Sequence, residues 1–142
     1  MVWRFLGLPD PTPNQLDFAY WLQHGPRRQV DEAFRGMGKS WIVAAYVVWR
    51  LRQDPERKFM VVSASKDRAD NFTTFTLQLI REMPILQCLI PREDQRCSKV
   101  SFDVAPTSPA QAPSVTSKGI FSQLTGGRAD EIVADDEQQC RP

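Results

Sequence analysis

Residues 33–40 of this chain read Ala-Phe-Arg-Gly-Met-Gly-Lys-Ser. Just before them, residues 29–34 predict a short strand, and just after them the apolar run over residues 40–52 predicts a helix. A glycine-bearing turn between a strand and a helix curls the main chain so that successive N–H groups converge on an anion. We therefore predict a phosphate-binding loop at this position.

The predicted loop assigns a role to each of its polar groups. Lys39 is expected to reach the terminal phosphates of ATP, and Ser40 to ligate Mg²⁺. The Arg35 guanidinium could stabilise charge that develops at the γ-phosphate, although a solvated surface arginine is an equal alternative. One position departs from the common pattern, because Ala33 stands where such loops usually carry a glycine. The residues expected to bind nucleotide here are Arg35, Gly36, Met37, Gly38, Lys39 and Ser40.

A second signal lies near the end of the chain, where an apolar strand predicted over residues 131–134 is followed by Asp135 and Asp136. In a nucleotide site such a strand lies beside the strand of the phosphate-binding loop. Its terminal carboxylates can then hold Mg²⁺, and the next acid can orient the attacking water. An ordinary strand-to-loop transition gives the same pattern, so this reading depends on the loop upstream.

The rest of the pattern alternates between helices and strands. That alternation predicts an α/β fold, P-loop NTPase-like, with a mainly parallel sheet flanked by helices. The predicted elements are an extended lead-in over 1–13, a helix from the candidate N-cap Asn14 to Gly25, a strand over 58–64, a helix over 65–83, a strand over 99–104, a long exposed loop over 105–117 and a strand over 119–121.

Composition sets further limits. The chain has 142 residues, of which 42% are hydrophobic, so one domain with a real core is expected. A formal net charge of +1 does not demand a polyanionic partner. The three cysteines lack paired spacing and are predicted to be free thiols in a reducing compartment. No secretory signal or membrane span is predicted, which favours a soluble intracellular protein.

Several stretches together resemble the N-terminal ATPase region of the terminase large subunit of short-tailed phages. They are residues 11–17, 32–40, 62–70 and 123–136. The resemblance implies an ATP-driven motor that moves double-stranded DNA into a preformed capsid. It also implies that Lys39 and Ser40 bind phosphate and Mg²⁺, and that the pair Asp135-Asp136 supplies the acid that holds the metal.

The same resemblance assigns three further roles. Arg35 matches an arginine carried inside the phosphate loop, and Arg128 matches a position that can act on the ATP of a neighbouring subunit. Gln15 matches a glutamine that contacts adenine, although from the residues alone a polar side chain on an exposed helix face is the simpler interpretation. Glu137 is the candidate catalytic glutamate, but relatives can place this acid one residue later, where Gln138 stands.

The resemblance also implies partners and a location. The implied partners are double-stranded DNA, the portal protein and the terminase small subunit, with a homo-oligomer when the motor is complete. The implied location is the cytoplasm of the bacterial host, without a membrane. Members of this family continue through further strands and a nuclease domain. We therefore expect residues 1–142 to be one truncated ATPase domain, with residues 1–28 as the lead-in and helix on its adenine side, an incomplete sheet and no nuclease domain.

Two other functions stay open at this point. A helicase-like P-loop ATPase would share the adenine-reading glutamine and the phosphate loop. A non-catalytic remnant would bind nucleotide or a terminase partner without turnover.

Overall fold

A computed structural model describes residues 2–122 and 127–135, with Asp135 described for its main chain only. The helices are α1 (Val2–Phe5), α2 (Pro13–His24), α3 (Lys39–Gln53) and α4 (Lys66–Glu82), followed by a 3₁₀ helix over Pro84–Leu89. The strands are β1 (Phe59–Ser63), β2 (Ser101–Phe102), β3 (Val115–Gly119) and β4 (Glu131–Asp135).

These strands form one four-stranded mixed sheet in the order β2-β3-β1-β4. The central strand β1 pairs in parallel with β3 on one side and β4 on the other. The short strand β2 pairs antiparallel with β3. The prediction of an α/β fold with a sheet flanked by helices is confirmed.

The core lies between one face of the sheet and helices α3 and α4. All five residues of β1 are buried. Phe59 and Val61 point to the same face, because side chains alternate along a strand, and both belong to the main apolar cluster. Helix residues from α3 and α4 complete that cluster; they include Ala44, Val47, Val48, Leu51, Leu77, Leu79 and Ile80.

Hydrogen bonds to the Glu131 carboxylate fix the direction of α3 across this face of the sheet. Glu131, the first residue of β4, accepts hydrogen bonds from Tyr46 and Arg50 of α3, at 3.1 and 3.2 Å. It also accepts one from Arg57, at 2.8 Å, in the short connection from α3 to β1. The last turns of α3 therefore lie at the amino ends of β1 and β4. The first turn of α3 points toward the carboxyl ends of the same strands.

The strand predicted over residues 29–34 is wrong, because these residues belong to no strand and have no pairing partner. Val30 is 92% exposed and Phe34 is 63% exposed. A strand needs a neighbour for its main-chain N–H and C=O groups. Within the described residues β4 pairs only with β1, so this segment meets no sheet edge.

Smaller differences have local causes. The N-cap of α2 is Thr12, not Asn14, because Pro13 fits the first helical position and Thr12 and Gln15 form a reciprocal capping box. The lead-in contains the short helix α1. The strand predicted over 99–104 is found in shorter form at Ser101–Phe102. The strand predicted over 119–121 is wrong except for Gly119, because β3 spans Val115–Gly119 and residues 120–121 form a turn.

The loop predicted as long and exposed over 105–117 is shorter and partly buried. Its last three residues lie in β3, while Thr107 and Ser114 are buried. Lys58 donates a hydrogen bond to the Thr107 hydroxyl at 2.9 Å, and the Glu56 carboxylate accepts one from the Ser108 main chain at 2.9 Å. These bonds hold the loop against the connection before β1.

Candidate functional site

The predicted phosphate-binding loop leads directly into α3. Residues 35–37 form a turn, and Gly38 is the N-cap of the helix. Gly36 has a φ of 89° and Gly38 a φ of 80°, in the left-handed region where residues with a Cβ are strained. The two glycines are therefore needed for the curl itself, as the sequence motif predicts.

The start of α3 has the features of an anion-binding site. The Gly38 carbonyl accepts hydrogen bonds from the N–H groups of Trp41 and Ile42, both at 3.1 Å. Within the described residues, the N–H groups of Gly38 and Lys39 donate to no main-chain carbonyl. The first turn of this 15-residue helix carries no acidic side chain. Free N–H groups and the helix dipole at such an end favour a negatively charged group such as phosphate.

Gln15 contacts this loop from α2. Its Nε2 donates a hydrogen bond to the main-chain carbonyl of Met37 at 2.8 Å. Its Oε1 accepts one from the main-chain N–H of Thr12 at 2.9 Å. The side chain predicted to contact adenine therefore lies against the predicted phosphate-binding loop. Sequence reasoning missed this contact, because it joins residues that lie 22 positions apart in the chain.

Three strand ends lie level at one edge of the sheet. In the parallel register, Ser63 of β1 is level with Gly119 of β3 and with Asp135 of β4. Glu131 contacts Tyr46, and Ser40 lies six residues before Tyr46, or about 9 Å along the helix. Asp135 lies four residues after Glu131, or about 13 Å along the strand. Ser40 and Asp135 therefore lie toward the same edge of the sheet.

The other predicted site residues have different positions. Arg35 is exposed in the turn of the loop. Arg128 is exposed and precedes β4, so it lies at the amino edge of the sheet, opposite to the start of α3.

Asp136 and Glu137 lie outside the described residues. In residues 2–122 and 127–135, no group of three His, Cys, Asp or Glu side chains could hold a metal ion. The Mg²⁺ site of Ser40, Asp135 and Asp136 stays a prediction.

A groove of about 590 Å³ lies between α2 and the segment before the loop. One face of α2 lines it with Asn14, Asp17, Phe18 and Trp21, and residues 30–34 and Met37 line the other side. Burial raises the pKa of Asp31 in this groove above its ordinary value, although a hydrogen bond from the Trp21 side chain opposes the rise. Sequence reasoning missed the groove.

The spacing of the four α2 residues was the available signal. They lie at i, i+3, i+4 and i+7 and so share one helix face. None of the residues of α2 is fully buried. A helix with an aromatic face that its own core does not cover leaves that face for a ligand or a partner.

Comparison with known proteins supports the resemblance seen in the sequence. The chain is 49% identical, over 137 residues, to the terminase large subunit of Enterobacteria phage T3. The match covers 96% of this chain and 23% of the phage protein. The chain thus spans about a quarter of the length of the curated relative that it matches. No profile of a known protein family matches the chain. The predicted resemblance to terminase large subunits is confirmed over this stretch.

Proposed function

We propose, from its similarity to a phage terminase large subunit, that the chain forms the ATP-binding part of a motor that packages double-stranded DNA. The observation that carries the proposal is the left-handed turn at Gly36 and Gly38, directly before a 15-residue helix with no acidic residue in its first turn. A P-loop NTPase-like fold is part of the same proposal.

In this proposal the phosphates of ATP lie at the start of α3. The main-chain N–H groups of the loop contact the phosphate oxygens, and the Lys39 ammonium neutralises the terminal phosphates. Arg35 is close enough in sequence to reach the same anion from the exposed side of the turn. The absence of acidic residues in the first turn of α3 supports this placement, since a carboxylate there would repel the phosphates.

The residues also suit Mg²⁺. Ser40 in the first turn of α3 offers a hydroxyl oxygen, and Asp135 ends the strand that runs toward the same edge. With Asp136 they would supply the oxygen ligands that Mg²⁺ prefers. When bound, the metal would neutralise charge on the β- and γ-phosphates. Glu137 is proposed to orient the attacking water.

The base of the nucleotide is proposed to lie in the groove between α2 and residues 30–34. Phe18 and Trp21 offer aromatic surfaces there, and Met37 joins the groove to the loop. Gln15 would hold the loop next to the base through its bond to Met37. Ligand pockets typically combine apolar and aromatic walls with polar groups that fix orientation, and Asn14 and Asp31 are polar groups in this groove.

The remaining proposals follow from the kinship. Arg128 lies at the edge opposite to the loop, so any contact with ATP would be with the nucleotide of a neighbouring subunit in a homo-oligomer. Double-stranded DNA, a portal protein and a terminase small subunit are the proposed partners, in the host cytoplasm. In the part of the chain that the structure describes, no helix is both long enough and apolar enough to cross a membrane.

Nucleotide binding tests the proposal. Lys39→Ala should weaken binding of Mg·ATP or a non-hydrolysable analogue at least tenfold in calorimetry, because it removes a charge-assisted contact. Arg52→Ala is the matched control, since it removes an exposed cation near the other end of the same helix. Equal affinities for wild type and Lys39→Ala would contradict the site. Turnover is measured separately, because binding without hydrolysis would support the non-catalytic alternative.

A further inference from the structure

Ser63 is exceptional among the buried hydroxyl groups of the described residues. It is 4% exposed, and its Oγ has no hydrogen-bond partner there. The other buried hydroxyl groups all have partners: those of Thr73, Thr76, Thr107, Ser114 and Ser117. A buried hydroxyl without a partner is unfavourable, so its retention calls for a group that binds it.

The position of Ser63 shows where such a group would lie. Ser63 is the last residue of the central strand, and its neighbours in register are Gly119 and Asp135. Gly119 has no side chain, and a Cβ placed there would contact Lys66 at the start of α4, 3.5 Å away. In sheets with parallel strands, ligands bind in the crevice beyond the carboxyl ends of the strands.

The face of the sheet is equally informative. Ser63 shares its face with Phe59 and Val61, since side chains alternate along the strand. Phe59 is level with Glu131, whose side chain contacts α3 on that same face. Ser63 therefore lies on the face that α3 covers, at the edge toward which the first turn of α3 points. The hydroxyl and the first turn of α3 therefore lie toward the same edge of the sheet.

We propose that Ser63 is a positioning residue of this site, whose hydroxyl donates a hydrogen bond to the terminal phosphate of a bound nucleoside triphosphate. The inference rests on the proposed nucleotide-binding function and adds a residue to it. A hydroxyl that binds only the terminal phosphate makes the site prefer the triphosphate over the diphosphate. Ser63 would thus help the chain to distinguish the nucleotide before hydrolysis from the product after it.

The test compares nucleotide affinities of the Mg²⁺-loaded chain by calorimetry. Ser63→Ala should weaken binding of the β,γ-imido analogue of ATP about three- to tenfold and leave ADP binding within twofold of wild type. Ser63→Thr keeps a hydroxyl and should restore much of the preference for the analogue. Unchanged affinity of Ser63→Ala for the analogue would overturn the assignment.

Stability without nucleotide gives a second, independent readout. Ser63→Ala should leave the midpoint of urea unfolding unchanged or raise it, because it removes an unpaired buried hydroxyl. Ser114→Ala is the matched control and should lower the midpoint, because the Ser114 hydroxyl accepts a hydrogen bond from the Val104 main chain at 3.1 Å. A loss in Ser63→Ala as large as that in Ser114→Ala would indicate a structural partner and overturn the inference.

Two further comparisons distinguish failure of the proposed function from failure of the Ser63 assignment alone. If the wild-type chain binds neither nucleotide, the proposed function fails and the inference fails with it. If Lys39→Ala loses binding while Ser63→Ala behaves as wild type, only the inference fails. A short DNA duplex is titrated in parallel, because DNA also carries phosphate groups. Weaker DNA binding by Ser63→Ala with unchanged analogue binding would overturn the assignment to nucleotide.

Discussion

The side-chain amide of Gln15 donates a hydrogen bond to the main-chain carbonyl of Met37, with 2.8 Å between the two atoms. The same amide group accepts a bond from the Thr12 N–H and so closes the capping box of α2. One side chain therefore links the start of α2 to the proposed phosphate-binding loop. The conformation of the loop and the position of α2 are physically coupled through this residue.

Replacing Gln15 should affect both stability and ligand binding. Gln15→Ala removes a capping interaction and leaves the Met37 carbonyl without this donor, so the free energy of unfolding should fall by about 1–2 kcal/mol. Nucleotide affinity should fall about three- to tenfold, because the loop loses its support. Urea denaturation and calorimetry measure the two effects.

Two variants make this test specific. Gln15→Glu keeps an oxygen for the Thr12 N–H but places a carboxylate against the Met37 carbonyl, so it should retain part of the stability and still bind nucleotide poorly. Gln23→Ala changes an exposed glutamine of the same helix and should resemble wild type. If Gln15→Ala bound nucleotide as tightly as Gln23→Ala, the coupling would be refuted.

Glu131 joins three elements at the amino edge of the sheet. Its carboxylate accepts hydrogen bonds from Tyr46, Arg50 and Arg57, and its side chain is 24% exposed. Glu131→Ala should lower the free energy of unfolding by about 2 kcal/mol, because two half-buried guanidinium groups lose their anion.

The exposed Glu93 provides the control for this substitution. Glu93→Ala removes a carboxylate from the loop after the 3₁₀ helix, and the free energy of unfolding should change by less than about 0.5 kcal/mol. Chemical denaturation of both variants at the same salt concentration gives the comparison. Equal stabilities of the two variants would show that the cluster around Glu131 contributes nothing.

Asp70 should make stability depend on pH in the acid range. Burial raises its pKa, but hydrogen bonds from Ser117 and Lys66 outweigh burial, and the pKa of Asp70 lies below its ordinary value. A lowered pKa in the folded state means that stabilisation is present above the pKa of the unfolded chain, about 3.9. It is lost as the pH falls through the lower folded-state pKa.

Asp70→Asn tests the direction of this pH dependence of stability. The variant should be less stable than wild type by about 1–2 kcal/mol between pH 5 and 8, and the difference should shrink below about pH 4. Urea unfolding over a pH series measures it, with the exposed Asp10→Asn as the control. A stability difference that grew on acidification would contradict the assignment.

Helices and the loop were predictable because their signals are local. The glycines at 36 and 38 and the apolar residues after Ser40 specify a turn followed by a helix without help from distant residues. In the segment 29–34 only Val30 and Phe34 favour a strand, and strand formation also depends on a neighbouring edge that local sequence does not reveal. The loop after Val104 was misjudged for a related reason, since its anchors, Glu56 and Lys58, lie about 50 residues earlier in the chain.

Within the candidate site, the sequence motif predicted the residues of the loop but not their neighbours. The bond from Gln15 to Met37 depends on how distant segments pack, and so does the Ser63 hydroxyl, which has no partner among the described residues. No periodicity or spacing encodes either feature. For Arg128 the resemblance implied contact with the ATP of a neighbouring subunit, and the structure adds only that this residue precedes the parallel strand β4, at the edge opposite to the start of α3.

The proposed role of the loop before α3 in phosphate binding can be tested most directly by comparing two glycines. Gly36 and Gly7 both have positive φ values, 89° and 67°, and a Cβ added at either would meet no atom within 4 Å. Alanine at either position should therefore carry a similar backbone strain, about 1 kcal/mol after allowing for the lower entropy of the unfolded chain. The two variants should show similar losses in the free energy of unfolding.

They should differ in ligand binding, because only Gly36 lies in the loop before α3. Gly36→Ala disturbs the curl that aims the N–H groups and places a methyl group on its exposed side, so affinity for Mg·ADP should fall tenfold or more. Gly7→Ala should bind as wild type, since its strain lies after α1. Equal losses of affinity in both variants would indicate that general destabilisation, and not the geometry of the loop, limits binding. Unchanged affinity in Gly36→Ala, at matched stability, would remove the loop from the site.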